Sequence, residues 1–401
     1  MFDAGTPQYK NITRSLAIGS FIIFCNLYVF QPILPHMAEV FSVSETQVNW
    51  LFAATTLGLS LSLVPWAIAS ESFGRKPIIL LSLFLIPLVG TSMLFTSTLW
   101  QLVAARAIMG VAVAAFAGVA VAYMVEELTP KAFAIAIGGY IAANSLGGIF
   151  GRVLGGLITD YFDWHAAVIF FVVGSFIGAV YISWKLPNQH GFKPQKGLFF
   201  HHNRAVITHL KNPTLWTAML IGGANFALFV NLYSVMGFRL VAAPHSLAVS
   251  LASLIFLCYL AGTFSSKFSS RWTQKFDPLK GIALGVSISL LGMLVSALEQ
   301  IPFMIVGLLL ISFGAFFAHT LAYAWVSQKA TKAKATATAL YLVHYYIGGS
   351  LGGFLLLYCW QHFGWNGVMA GGSLLYGLIF IWLYQLHHHR ATKPAMTQAQ
   401  A

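Results

Sequence analysis

Long apolar runs separated by short polar breaks recur along the whole chain. A bilayer core about 30 Å thick needs about 20 residues of apolar helix to cross it. On that measure the runs predict helices at 15–38, 46–69, 77–97, 100–125, 133–158 and 164–186. Six more follow at 214–239, 247–266, 280–298, 302–327, 335–360 and 366–386. Twelve crossings bring both termini to one side. The longest polar connection divides the chain into a six-helix bundle over 1–186, a linker over 187–213 and a second six-helix bundle over 214–390. Residues 391–401 read as a disordered tail.

An internal repeat supports two related halves. The fifth helix carries Asn144-Ser145-Leu146-Gly147-Gly148 and ends in Phe162-Asp163-Trp164, while the eleventh carries Gly349-Ser350-Leu351-Gly352-Gly353 and ends in Phe363-Gly364-Trp365. The second copy is four residues shorter, with the gap around Arg152. Such duplication is a property of transporters built around a midplane site.

Composition agrees with a lipid-facing surface. Of 401 residues, 58% are apolar and 8% charged, and mean hydropathy is +0.77. The net charge of +12 is topological, which argues against nucleic acid as a partner. Of 22 Lys and Arg residues, nineteen fall on one face, the exceptions being Arg106, Arg152 and Arg239. Basic loops stay cytoplasmic, so both termini and the 187–213 linker are expected inside, in a bacterial inner membrane. Cys25, Cys258 and Cys359 lie in apolar runs, so neither a disulfide framework nor a metal site is expected. The first helix lacks a small-residue cleavage site and reads as retained. The His387–Arg390 run reads as an interfacial anchor.

Three segments carry motif spacing. The second-to-third helix loop reads Ala67-Ile-Ala-Ser-Glu71-Ser72-Phe-Gly74-Arg75-Lys76, with Glu126 and Glu127 at the end of the fourth helix. The fourth helix has Arg106 four residues before Gly110. In the fifth helix, Gly138, Gly147, Gly151-Arg152 and Gly155-Gly156 form a spaced series; those at 147, 151 and 155 share one face for close helix contact.

These motifs resemble the loop, fourth-helix and antiporter signatures of the major facilitator superfamily. The resemblance implies an all-α membrane fold of twelve helices in two pseudo-symmetric six-helix bundles. Ala67, Glu71 and Ser72 depart from the usual loop residues, Met109 stands where glutamine is common, and Arg152 stands where relatives have proline. By family analogy Glu71 meets the positive N-terminal end of the eleventh helix and holds a cytoplasmic gate, with Arg75, Lys76, Glu126 and Glu127 in a charge network. The runs Tyr28–Pro35, Asn144–Arg152 and Phe317-Ala-His319 look most like the acriflavine-sensitivity group of drug exporters. That likeness implies efflux coupled to proton entry.

Helices 1, 4, 7 and 10 should line the cavity, as in the family architecture. Their polar residues are Asn26, Gln31, Arg106, Tyr123, Asn225, Asn231, Tyr233, His319 and Tyr323. All ten acids lie in tails, loops or helix ends. The titratable candidates for proton coupling are therefore His319 and His344, since imidazole titrates near neutral pH; packing by hydrogen bonding is the other role open to each. Arg106 either serves the site or snorkels outward. With Arg152 it also favours an organic anion, such as a polycarboxylate metabolite or siderophore, over a lipophilic cation.

No nucleotide-binding loop, zinc-hydrolase pattern or nucleophile elbow occurs, so an enzyme is not expected and transport should be secondary. The expected partners are a small-molecule substrate, protons and membrane lipid, with no cofactor, for a monomeric chain.

Overall fold

The computed structural model describes residues 1–190 and 199–391. Its elements in order are α1 (Pro7–Tyr28), α2 (Leu34–Phe41), α3 (Glu45–Val48), α4 (Trp50–Phe73), α5 (Arg75–Met93), α6 (Leu99–Ala117), α7 (Ala120–Glu127), α8 (Pro130–Tyr161) and α9 (Trp164–Lys185). Then come α10 (Phe199–Leu210), α11 (Pro213–Val241), α12 (Val249–Ser253), a 3₁₀ turn at Leu254–Cys258, α13 (Tyr259–Thr273), α14 (Pro278–Val295), α15 (Ile301–Lys329) and α16 (Lys334–Ala391).

Among the described residues, ten segments are long and apolar enough to cross a membrane. One of them runs through α16, which contains two helices because Gly364 adopts φ 59° and ψ −153°. L side chains resist that conformation, so glycine sets the break between the eleventh and twelfth crossings. The 22 residues of α1 supply the remaining crossing, about 33 Å at 1.5 Å per residue. The fold is therefore all-α, with twelve crossings.

Helix starts follow local chemistry. Thr6, Thr129 and Asp277 each cap a helix whose first residue is proline, which has no N–H to leave unsatisfied there. Ser44 and Thr98 form capping boxes with Gln47 and Gln101.

Three elements differ from the sequence expectation. The first helix ends at Tyr28 rather than 38, and the chain restarts at Leu34. Pro32 and Pro35 cannot donate to a continuous helical ladder. The fourth crossing is interrupted at Gly118–Val119. The 187–213 connection contains the twelve-residue helix α10. The expected 391–401 tail lies outside the described residues except for Ala391, which ends α16.

The chain forms two compact units. One comprises Met1–Phe200 with Tyr233–Tyr259, the other His201–Leu232 with Leu260–Ala401. In the first, the stripe of Gly147, Gly151 and Gly155 lets α8 approach the α1 backbone at Phe21, Cys25 and Val29. A Cβ at Gly151 would stand 2.5 Å from the Cys25 carbonyl oxygen. In the second, Gly348 and Gly352 of α16 meet Gly223 and Ala227 of α11. The repeated sequence thus performs the same task twice: the fifth crossing seats on the first and the eleventh on the seventh. Small residues serve this role because lipid supplies little hydrophobic drive between helices, leaving packing to hold them.

Candidate functional site

In the first unit the buried polar groups gather where α1 stops. A helix end leaves its last carbonyls without intrahelical partners. Arg106 of α6 supplies them: its Nη1 and Nη2 donate to the carbonyls of Asn26 and Leu27 at 2.8 and 2.7 Å. Its Nε donates to the Leu51 carbonyl at 3.1 Å. The guanidinium also lies 4.8 Å from the Phe30 ring. Asn26 itself donates to Ser175 of α9 at 2.9 Å.

Arg152 of α8 holds the next residues of the same segment. Its Nε donates to Gln31 Oε1 at 2.7 Å and its Nη1 to the Gly148 carbonyl at 2.8 Å. The guanidinium sits among three rings: Tyr28 at 3.7 Å, Tyr259 at 4.6 Å and Phe256 at 5.1 Å. Gln31 in turn donates to Ser234 Oγ of α11 at 2.9 Å. Both arginines are at most 2% exposed and are satisfied by carbonyls, an amide and π-faces rather than by carboxylates. Tyr233 joins the same wall, edge-to-face with Tyr259 at 4.6 Å.

Beside this cluster, Asp160 accepts from Ser250 at 2.5 Å, and Gly156 lies against Ser253. Of the glycine series, Gly138 has open space around its Cβ position.

At the loop end of the first unit, Gly74 adopts φ 100°, a turn that favours glycine. Arg75 bonds Glu126 at 2.8 and 3.0 Å, lies 4.0 Å from Glu71 and also donates to Ser70. Gln189 accepts from the backbone N–H groups of Arg75 and Lys76 at 2.7 and 3.1 Å. Lys76 Nζ reaches Asn188 at 2.8 Å. Buried Glu127 accepts from the His190 N–H at 2.7 Å, and Tyr123 donates to the Pro187 carbonyl at 2.7 Å. The segment after α9 is therefore fastened to α5 and α7.

In the second unit, His319 of α15 places Nδ1 3.0 Å from the Tyr341 hydroxyl on α16. Its ring lies 4.3 Å from Tyr345 and 6.3 Å from Tyr323. Tyr323 is 38% exposed. His344 Nδ1 lies 2.8 Å from its own helix's Leu340 carbonyl. Asn225 donates to the Ala315 carbonyl at 3.0 Å, and Asn231 to those of Ala227 and Gly349 at 2.9 and 2.8 Å.

The expected cavity residues thus separate into two groups. Asn26, Gln31, Arg106, Tyr123, Arg152, Asn225, Asn231 and Tyr233 are buried, while His319, Tyr323 and His344 retain partial exposure. Sequence reasoning missed Ser234, Phe256, Tyr259, Tyr341 and Gln189. Of these only Tyr341 left a readable signal, an aromatic one helical turn before Tyr345. Among the described residues no group of three His, Cys, Asp or Glu could hold a metal ion.

The comparisons with known proteins agree with this architecture. Residues 16–352 and 268–400 match the profile of the Major Facilitator Superfamily. The chain is 32% identical to the MFS-type transporter YybF of Bacillus subtilis (strain 168), covering 94% of each. It is 30% identical to the inner membrane transport protein YnfM of Escherichia coli (strain K12), over 96% of this chain and 92% of that one. A bacterial homologue of the human lysosomal transporter Spinster, inward-facing and occupied, superposes with TM-score 0.78 at 15% identity, covering 97% and 98% of the two chains. On these grounds the chain belongs to the major facilitator superfamily: it is a multi-pass secondary transporter rather than an enzyme.

Proposed function

We propose that this protein exports small amphiphilic compounds from the cytoplasm in exchange for protons, by alternating access. The observation that carries the reading is the His319–Tyr341 pair. It joins the tenth and eleventh crossings through the titratable side chain of a partly exposed aromatic cluster. With Nδ1 as acceptor, Tyr341 donates. Taking up a proton makes Nδ1 a donor and obliges the hydroxyl hydrogen to turn elsewhere; the His319 carbonyl stands 3.4 Å away. Protonation therefore rewires a contact between two helices, which is what coupling requires. The groups around His319 are Tyr341 and Tyr345 across this contact and Tyr323 on its own helix.

The aromatic walls suit flat apolar substrates, and the antiporter-type glycine series supports exchange. The resemblance to the acriflavine-sensitivity group supports export. The partition of basic residues supports cytoplasmic termini in a bacterial inner membrane, with the chain acting as a monomer of two six-helix bundles. In this reading Arg106 and Arg152 hold the broken first helix in place. The alternative, an organic-anion carrier, draws on Arg152, whose contacts with Gln31, the Gly148 carbonyl and the Tyr28 ring are all with neutral groups. A screen of amphiphilic cations, neutral dyes and polycarboxylates in proteoliposomes with an imposed pH gradient separates the two. Gradient-dependent flux of cationic or neutral compounds supports export as proposed; flux confined to polycarboxylates supports the anion carrier.

A further inference from the structure

A second site lies away from both clusters, at the end of α13. Lys267, Arg271 and Lys275 recur every fourth residue there, which places the helical members on one face. Arg271 and Lys275 border an open cleft of about 570 Å³ between α13, α14 and α15, a size within the usual range for ligand pockets. Its walls are apolar: Phe268, Leu284, Phe313 and Phe317 line it below the two cations. Trp272 forms one side, fixed by its indole N–H donating to the Asp277 carbonyl at 3.0 Å. Phe268 and Leu284 are 39% and 42% exposed, so the cavity opens at an apolar part of the surface.

The charge distribution is one-sided. No acidic residue lines the cavity, and Arg271 and Lys275 have no ion-pair partner among the described residues. Two cations at the rim and an apolar trough leading away from them form an amphipathic receptor. A soluble anion would use the rim and leave the trough empty. A zwitterionic lipid would bring its own cation toward Arg271 and Lys275. A lipid with a net negative headgroup satisfies both ends.

We propose that this cavity binds one anionic phospholipid, its phosphodiester against Arg271 and Lys275 and an acyl chain along Phe268, Phe313 and Leu284. The placement of the headgroup in the inner leaflet rests on the orientation given by the basic loops. Basic pockets between helices on the cytoplasmic side suit such headgroups, and each cation near an anionic surface contributes about a fivefold gain in affinity.

Native mass spectrometry of the full-length protein, delipidated in detergent, tests the proposal directly. Dioleoylphosphatidylglycerol should bind at least about tenfold more tightly than dioleoylphosphatidylcholine. Arg271→Gln with Lys275→Gln should weaken the phosphatidylglycerol complex by about thirtyfold. Lys10→Gln with Arg14→Gln, which removes two cations from another helix, should leave it unchanged. Millimolar glycerol phosphate should not displace the lipid. Equal binding of the two lipids, or equal loss in both double variants, would overturn the proposal in favour of unspecific surface attraction. Displacement by glycerol phosphate would overturn it in favour of a small-anion site.

Discussion

Arg152 and Gln31 are 121 residues apart in the chain and joined by a 2.7 Å hydrogen bond. Gln31 passes the connection on to Ser234, so α8, the break after α1 and α11 meet through two side chains. The arginine in a glycine-rich stripe is thereby explained: its guanidinium bonds the Gly148 carbonyl and enters an aromatic cage of Tyr28, Phe256 and Tyr259.

Arg152→Ala should abolish transport while leaving membrane insertion normal. It removes the donor to Gln31 and the cation over Tyr28. The first loss costs about 1–3 kcal/mol, the second about 2 kcal/mol in a desolvated setting. Arg152→Lys keeps the charge but not the planar two-bond geometry, so flux should be partly restored. Flux and thermal melting of both variants check this; a fully active alanine variant would remove Arg152 from the mechanism.

The glycine series should behave unevenly. Gly151→Ala places a methyl group 2.5 Å from the Cys25 carbonyl and should force α1 and α8 apart, costing about 1–3 kcal/mol as overpacking. Gly138→Ala meets nothing within 4 Å and should stabilise its helix by about 0.5–1 kcal/mol. Melting temperatures moving in opposite directions are the expected result.

Twelve crossings were legible because each apolar run is long enough to span a bilayer, and the repeat was legible because Gly147 and Gly352 serve equivalent contacts. The early end of α1 was written in Pro32 and Pro35, but the continuing apolar run through Leu34 and Met37 masked it. The partners of Arg152 were not legible. Phe256 and Tyr259 around its guanidinium, like Ser234 beyond Gln31, are ordinary members of apolar runs whose role arises only when distant helices meet. Gln189 likewise caps α5 from a connection that carries no helical pattern.

At the loop end, Glu126→Gln should matter more than Glu71→Gln. Glu126 receives two bonds from Arg75, whereas Glu71, across the Gly74 break, stands 4.0 Å from it. Partly exposed pairs of this kind contribute about 0.2–1 kcal/mol each. A transport assay should show a measurable deficit for Glu126→Gln and a smaller one for Glu71→Gln; the reverse order would restore the gating role to Glu71 alone.

Orientation is tested by thiol labelling. Phe200→Cys in a Cys359→Ser background should react with membrane-permeant reagents and resist impermeant ones in intact cells. Cys25 and Cys258 are buried and contribute little background. Labelling by an impermeant reagent would invert the topology.

The account centres on His319 as the proton-carrying group, and one comparison tests it most directly. Wild-type protein and His319→Gln are reconstituted in proteoliposomes and given a probe substrate taken from the pH-gradient screen. Glutamine keeps polarity near Tyr341 but does not titrate near neutral pH. Wild type should accumulate the probe against its gradient when a pH difference is imposed. The variant should lose that accumulation while retaining exchange of labelled for unlabelled probe. Undiminished pH-driven accumulation by His319→Gln would contradict the account.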